Sequence, residues 1–94
     1  METVWVFNGQ IGKFSGGVFS ELPNAENWIK ENRLSGILTA YPLDKGVFDW
    51  AIENDLLPMK QEKIEEKSKD SSFIASFTTA AQEHYHYENG SRQG

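Results

Sequence analysis

Two histidines lie two residues apart near the C-terminal end of the chain, at His84 and His86. Histidine is the commonest metal ligand, and residues two apart in a β-strand project from the same face of the sheet. With a carboxylate on that face, the pair could bind zinc and leave one coordination position open. The chain has no cysteine and no further histidine, so the usual third zinc ligand is missing. We therefore predict no metal and no cofactor.

The two histidines also support an alternative function. Together with Tyr85 and Tyr87, His84 and His86 form a candidate polar site for a small ligand or for acid–base catalysis. The competing interpretation is a polar strand face, on which the imidazoles meet solvent while the two tyrosines pack on the opposite side.

Four acidic residues form the densest group of like charges in the chain: Asp44, Asp49, Glu53 and Asp55. Asp49 and Glu53 are four residues apart, so they share one face if residues 47–54 are helical. Paired carboxylates can divide into a general acid and a general base when their surroundings separate their pKa values. Nothing in the sequence indicates burial here, so we predict no catalytic residue. The group is expected to be a solvated face or a docking patch for a basic partner.

Glycines and hydroxyl groups elsewhere match no catalytic motif. Four glycines lie within residues 9–17, but their spacing fits neither G-x-x-x-x-G-K-[ST] nor G-x-G-x-x-G, the loops that hold phosphates. Ser20 lacks the G-x-S-x-G setting of a serine nucleophile. Turns and bulges account for these glycines.

Length and charge restrict the class of protein. The chain has 94 residues, with nine Lys or Arg against fourteen Asp or Glu and a net charge of -5. Phosphate binding needs a net-positive face, so this acid excess argues against a nucleic-acid partner. No apolar run approaches the ~20 residues that span a bilayer, which argues against a membrane. A cysteine-free chain fits a reducing compartment, so we expect one cytoplasmic domain, residues 1–94.

A β-hairpin is predicted at the N-terminal end. Bulky, β-prone residues occupy 3–7 and 13–19, and Asn8-Gly9 between them favours a turn. Apolar side chains on both faces of the first stretch predict a central strand. Gly16-Gly17 weakens the second stretch and indicates either a bulge or the close approach of another group.

Two helices and a strand should follow. The first helix is predicted to begin at Glu21, with Ser20 as its N-cap. A buried strand is predicted at 36–41, and a second helix at 47–54 with Asp44 as a possible cap.

The composition changes at residues 58–72, where four lysines balance four acidic residues. This segment is predicted to be a mobile linker or a solvated helix. Residues 73–77 fit one helical turn or a short strand, residues 82–87 the last strand, and residues 91–94 a polar tail.

The element order ββαβα(α)β predicts an α+β sandwich, with a mostly antiparallel four-stranded sheet and two or three helices on one face. The predicted core consists of ten apolar residues: Val4, Val6, Phe19, Trp28, Ile29, Ile37, Leu38, Trp50, Ala51 and Ile52.

Five sequence blocks together resemble a family of short bacterial proteins of unknown function. In chain order they are WVFNG, GGVF, LSGILT, GVFDWAI and QEHYHYENG. The resemblance covers nearly the whole chain except residues 58–72. It implies a bacterial, intracellular single domain and assigns no activity, cofactor or site residue.

Three functions are compatible with these features. The favoured one is a non-enzymatic binding module, such as an immunity protein that inhibits a basic toxin through its acidic residues. The second is a small-ligand protein or enzyme that uses His84 and His86. The third is a regulatory or structural subunit that binds through its sheet edge or an apolar surface.

Overall fold

The computed structural model describes residues 2–94 and has an α+β architecture, with one five-stranded antiparallel sheet and four α-helices. The chain forms two compact units. The sheet unit comprises the chain up to Leu43 together with Gln82–Gly94, and the helical unit comprises Asp44–Ala81. The predicted α+β class is confirmed, while the sheet has one strand more than the predicted four.

The elements of the sheet unit are the strands β1 Thr3–Gly9, β2 Ser15–Phe19, β3 Gly36–Pro42, β4 His84–Glu88 and β5 Ser91–Gln93, and the helix α1 Leu22–Glu31. The helical unit contains α2 Val47–Glu53, α3 Gln61–Lys67 and α4 Ser71–Ser76. Neighbouring strands pair in the order β2-β1-β3-β4-β5. The prediction that the first strand is central is therefore confirmed.

The fifth strand lies where the sequence predicts only a polar tail. Residues 91–93 pair with β4, with Arg92 opposite Tyr87. The connecting residues Asn89 and Gly90 have φ angles of 49° and 86°, the double positive φ of a tight type I′ hairpin. This turn lets a short polar segment complete the sheet.

Gly16 is the extra residue of a β-bulge, as the Gly16-Gly17 pair predicts. Phe7 pairs with Gly17, and the next residue, Asn8, pairs with Ser15. A Cβ atom at Gly17 would lie 2.8 Å from the Phe19 ring, so another group also approaches this glycine closely, as the sequence predicts. The bulge bends strand β2 at this point.

Helix α1 packs on one face of the sheet and closes the main core. Its buried residues, Ala25 and Ile29, are four apart on one helix face. The buried cluster of this unit consists of Trp5, Phe7, Ala25, Ile29, Leu38 and Tyr87. Phe19 and Trp28 are partly buried against this cluster. The centroid of the Trp28 ring lies 5.6 Å from that of Phe7 in a T-shaped contact and 5.3 Å from that of Phe19 in a tilted contact.

The prediction of Val4 and Val6 as core residues is wrong in its choice of face. Side chains alternate along β1, and the face that meets α1 carries Trp5 and Phe7, which are 8% and 3% exposed. Val4 and Val6 lie on the opposite face and are half-buried.

The sequence also predicts Ile37 and Ile52 in the core, yet they are 39% and 38% exposed. Ile37 shares the outer sheet face, because its neighbour Leu38 takes the inward position. The remaining predicted residues fit better. Ile29, Leu38 and Ala51 are fully buried, and Trp50 is half-buried.

Both predicted helix caps are wrong. Glu21, not Ser20, is the N-cap of α1, and its side chain makes no capping hydrogen bond. At α2 the N-cap is Gly46 rather than Asp44, which lies two residues earlier with a φ of 61°. Gly46 has no side chain with which to cap, so α2 lacks a side-chain cap.

Three phenylalanines form the apolar centre of the helical unit. Phe48 of α2 is 2% exposed and contacts Phe73 and Phe77, with ring centroids 5.6 and 5.3 Å away. Phe73 lies on α4, which confirms the helical alternative for this segment, and Asp70 caps this helix by accepting a hydrogen bond from the Phe73 amide. Residues 58–72 contain α3, none of whose residues is buried.

Within residues 2–94, no helix combines the length and the apolar character needed to cross a bilayer. The longest, α1, has ten residues.

Candidate functional site

The four acidic residues singled out in the sequence all lie in the helical unit, and all are exposed. Asp49 and Glu53 are both on α2. Asp44 precedes this helix and Asp55 follows it, with left-handed φ angles of 61° and 54°. Residues 44–55 therefore form one acidic segment centred on α2, which we call the acidic segment.

One lysine lies within the acidic segment and is already paired. The Nζ atom of Lys45 donates to both carboxylate oxygens of Glu53 at 2.6 Å. Because both side chains are partly exposed to solvent, the pair adds little stability, but it offsets the charge of Glu53. Asp44, Asp49 and Asp55 account for the remaining negative charge of the segment.

This charge is also the net charge of the whole helical unit. Residues 58–72 carry four lysines and four acidic residues, and no charged residue follows before Ala81. The acidic segment carries four acidic residues and one lysine, Lys45, which gives it a net charge of -3. The helical unit as a whole has the same net charge. A basic partner would therefore be drawn to residues 44–55 rather than to α3.

An apolar cleft of about 410 Å³ begins one residue after the acidic segment. Its first wall is the run that follows Asp55, and its second wall is the C-terminal part of α4 with the chain beyond it. The lining residues are Leu56, Leu57, Pro58, Met59, Phe73, Ser76, Phe77, Thr78 and Thr79. Two of them, Phe73 and Phe77, contact the buried Phe48 of α2, so the aromatic cluster supports one side of the cleft.

The sequence does not by itself predict this cleft, although it contains two signals for it. The run Leu-Leu-Pro-Met at residues 56–59 contains three large apolar side chains next to a charged region. Phe73 and Phe77 are four residues apart, the spacing of one apolar helix face. Neither signal alone shows that the two stretches face one cavity.

The histidine pair lies on the outer face of the sheet, opposite α1. His84 and His86 share this face, as predicted, with ring centroids 5.8 Å apart. Nδ1 of His84 lies 2.7 Å from the Gln82 carbonyl oxygen. His86 stands opposite Ile37, which stands opposite Asn8, so the three form one cross-strand row.

Tyr85 and Tyr87 lie on the inner face, so the structure separates them from the histidines. Tyr87 belongs to the core, and Tyr85 stacks on Trp5 with centroids 5.9 Å apart. The four residues of the alternative polar site therefore form two groups on opposite faces of β4 rather than one cluster.

A second cleft, of about 300 Å³, lies at the end of the sheet where β3 begins. Its lining residues are Asn8, Gly9, Gln10, Gly36, Ile37, His86 and Tyr87. Polar side chains come from β1 and the residues after it and from β4, while β3 contributes Gly36 and Ile37. The cleft thus offers hydrogen-bonding groups but only one imidazole.

Metal binding finds no geometric support in the described part of the chain. No three or more His, Asp or Glu side chains within residues 2–94 are grouped so that they could hold one ion. A zinc site with protein ligands normally uses three or four of them.

A polar network on the inner side of the sheet is likewise not predicted by the sequence. Oε2 of Glu26, on α1, accepts hydrogen bonds from Tyr87 Oη at 2.6 Å and from Arg92 Nη2 at 2.5 Å. The guanidinium of Arg92 also lies over the Tyr85 ring, 3.9 Å from its centroid. No local signal predicts these contacts, because Glu26 is more than sixty residues from its partners.

The network fixes the protonation of its members. Partial burial raises the pKa of Glu26, but hydrogen bonds from Tyr87 and Arg92 outweigh it and hold this pKa below its usual value. Burial and the hydrogen bond to Glu26 raise the pKa of Tyr87 to about 12. At neutral pH Tyr87 is therefore protonated and acts as a hydrogen-bond donor rather than as a base. The role of the network is to link α1 to the sheet.

The chain shows no significant similarity to a curated protein or to a solved structure. Residues 4–93 match a family model described as a domain of unknown function, DUF7710. The predicted relationship to a family of unknown function is confirmed. Since this match spans nearly the whole chain, the protein belongs to the DUF7710 family.

Proposed function

We propose that this protein is a non-enzymatic binding module for a basic protein, acting in the manner of an immunity protein that inhibits a basic toxin. The observation that carries the proposal is the position of the apolar cleft directly after the acidic segment, within one compact unit. Interfaces commonly combine an apolar anchor pocket with a charged rim. The cleft would take an apolar side chain, and the rim would select a basic neighbour.

The charge distribution supports a basic partner. Asp44, Asp49 and Asp55 are exposed, and Lys45 is engaged by Glu53. Exposed carboxylates of this kind accelerate association with a cationic surface and suppress acidic partners. The proposal includes a cytoplasmic location, which the absence of cysteine favours.

A synthetic peptide of alternating lysine and leucine is a direct probe of this site. In ¹⁵N-resolved NMR titrations, we expect shifts concentrated at residues 49–59 and 73–79, and an affinity that falls as salt is added. A peptide with glutamate in place of lysine should not bind. Equal binding of both peptides would contradict recognition of basic charge.

Matched variants separate the acidic segment from general charge. Asp49→Lys combined with Asp55→Asn should weaken peptide binding about tenfold or more. Asparagine is tolerated at the positive φ of residue 55, so the backbone is preserved. The control, Glu65→Lys with Glu62→Gln on α3, makes the same change in net charge. Equal losses in both double variants would show that only overall charge matters.

The cleft has its own matched pair. Leu56 lines it and Ile74 does not, and the two side chains are 36% and 37% exposed. Leu56→Ser should weaken binding, while Ile74→Ser should leave it near the wild-type value. For the inhibitor form of the proposal, a protein captured from native cells must be basic and must be lost with Asp49→Lys/Asp55→Asn but not with the α3 control.

A second candidate function is binding of a small polar ligand at the sheet-end cleft. It is favoured by the convergence of Asn8, Gln10 and His86 on one cavity. A His86→Ala variant with unchanged peptide binding and altered binding of a small ligand would favour this candidate. Loss of peptide binding in Leu56→Ser favours the first.

A further inference from the structure

Strand β2 ends one side of the sheet and has no neighbour on its outer edge among the described strands. Its sequence, Ser-Gly-Gly-Val-Phe, contains no charged residue and no proline. Natural edge strands usually carry such residues to prevent pairing with other strands. The opposite edge, β5, is only three residues long and includes Arg92.

The surroundings of β2 are unusually apolar for an exposed loop and strand. Ile11 is fully exposed, Phe14 is 86% exposed and Val18 is 62% exposed. These are the three most exposed large apolar side chains of the described residues, and all belong to one hairpin. Such a concentration indicates a contact surface rather than chance exposure.

The charges around β2 favour an antiparallel partner with the same sequence. Residues 8–20 contain no acidic residue, and their only charge is Lys13. Glu21 follows directly after the other end of the strand. If two copies pair antiparallel, the Lys13 end of each strand lies beside the Glu21 end of the other. Two opposite-charge contacts thereby offset, at the interface, part of the repulsion between two acidic chains.

We propose that the β2 edge binds a second copy of this chain, so that two β2 strands pair antiparallel about a two-fold axis at Val18. This register places Val18 against Val18 of the other copy on the outer face. It places Gly17 opposite Phe19 of the other copy on the inner face. The bulge at Gly16 limits regular pairing to a few residues. The dimer interface is therefore small and the association weak, with a Kd on the order of micromolar.

The absence of cysteine from the wild-type chain permits a clean cross-linking test. Val18→Cys should form a disulfide-linked dimer under mild oxidation, because paired residues on adjacent strands bring their Cβ atoms within disulfide range. Ile37→Cys is the control, since Ile37 lies on the same outer face but on the central strand β3. Equal cross-linking of both variants would indicate stacking of sheet faces and overturn the edge assignment.

Sedimentation velocity over a wide concentration range tests the wild-type chain itself. We expect reversible dimerisation that Val18→Lys weakens about tenfold or more, as a charge on an edge strand should. Lys13→Glu should weaken the dimer, and adding Glu21→Lys to it should restore the dimer by exchanging the two charges. A wild-type chain that is monomeric at all concentrations, or a double variant that is not restored, would overturn the proposal and leave the edge to another extended peptide.

Discussion

The hydroxyl of Tyr87 donates a 2.6 Å hydrogen bond to Oε2 of Glu26, joining the buried face of β4 to α1. The same oxygen accepts from Arg92 on β5, so one carboxylate links three elements that are distant in sequence. Tyr87 is 5% exposed and the carboxylate is partly exposed. The carboxylate of Glu26 thereby links α1 to the last hairpin, whose turn is also held by hydrogen bonds from the Asn89 amide to Ser35 and from the Gly90 amide to the Leu34 carbonyl.

Tyr87→Phe should destabilise the sheet unit by about 1–3 kcal/mol, since a buried hydrogen bond to a charged group is lost while the ring remains. Urea denaturation at neutral pH measures this loss. Tyr85→Phe is the control, because the Tyr85 hydroxyl donates to the exposed Glu83 rather than to a buried partner. A smaller effect at Tyr87 than at Tyr85 would show that the link to α1 contributes little.

The depressed pKa of Glu26 predicts the pH dependence of stability. Because the folded-state pKa lies below the unfolded value of about 4.5, the unfolded chain binds more protons in acid. The stabilisation is therefore complete above about pH 4.5 and is lost as the pH falls through the folded-state pKa. Glu26→Gln should be less stable than wild type at neutral pH, and the difference should shrink in acid. Denaturation curves at several pH values measure this difference in the free energy of unfolding. A difference that stays constant from neutral to acidic pH would refute the linkage.

Much of the fold follows from the local sequence. The bulge at Gly16 and the central position of β1 both follow from residue types in the sequence. The turn predicted at Asn8-Gly9 is wrong, because both residues lie within β1, opposite Ile37 and Gly36 of β3, and neither has a positive φ. The chain turns after Gly9 instead, at residues 10–11. The face of β1 that is buried does not follow from the local sequence either. Both faces of this strand are apolar, so only the docking of α1 selects Trp5 and Phe7 over the valines.

The candidate site shows the same division. The exposure of the acidic residues and the shared face of His84 and His86 follow from sequence spacing. The apolar cleft and the Glu26 network do not, since each joins stretches that are separated by many residues. Strand β5 had a signal, Asn89-Gly90, which is among the strongest for a hairpin, but its polar sequence resembles a tail.

Gly36 should be intolerant of any side chain. A Cβ atom there would overlap the Asn8 carbonyl oxygen and lie 2.8 Å from the Phe7 ring. Gly36→Ala should therefore cost about 1–3 kcal/mol through overpacking. Its cross-strand partner Gly9 has nothing within 4 Å of such an atom, so Gly9→Ala should change stability by only about 0.5 kcal/mol. Equal melting temperatures of the two variants would contradict this close approach.

Adjacent residues of β3 test the assignment of the two sheet faces. Leu38 is fully buried, and Leu38→Ala should cost about 2–5 kcal/mol by leaving a cavity. Ile37, on the outer face, is 39% exposed, and Ile37→Ala should cost less than half as much. Denaturant unfolding of both variants provides the comparison. The reverse order would place the core on the outer face, as the sequence predicted for Val4 and Val6.

The segment at residues 58–72 is expected to open far more readily than the sheet. Helix α3 has seven residues, none of them buried, and isolated helices this short are unstable in water. Its exposed Lys63–Glu66 ion pair, at 3.3 Å, adds little to its stability.

Strand β1, by contrast, is paired on both sides and carries two core aromatics. Amide hydrogen exchange should therefore be fast in α3 and slowest in β1, because local opening of α3 costs little free energy. Comparable protection of the two elements would mean that the charged helix is held in place as firmly as the core, and the prediction of mobility would fail.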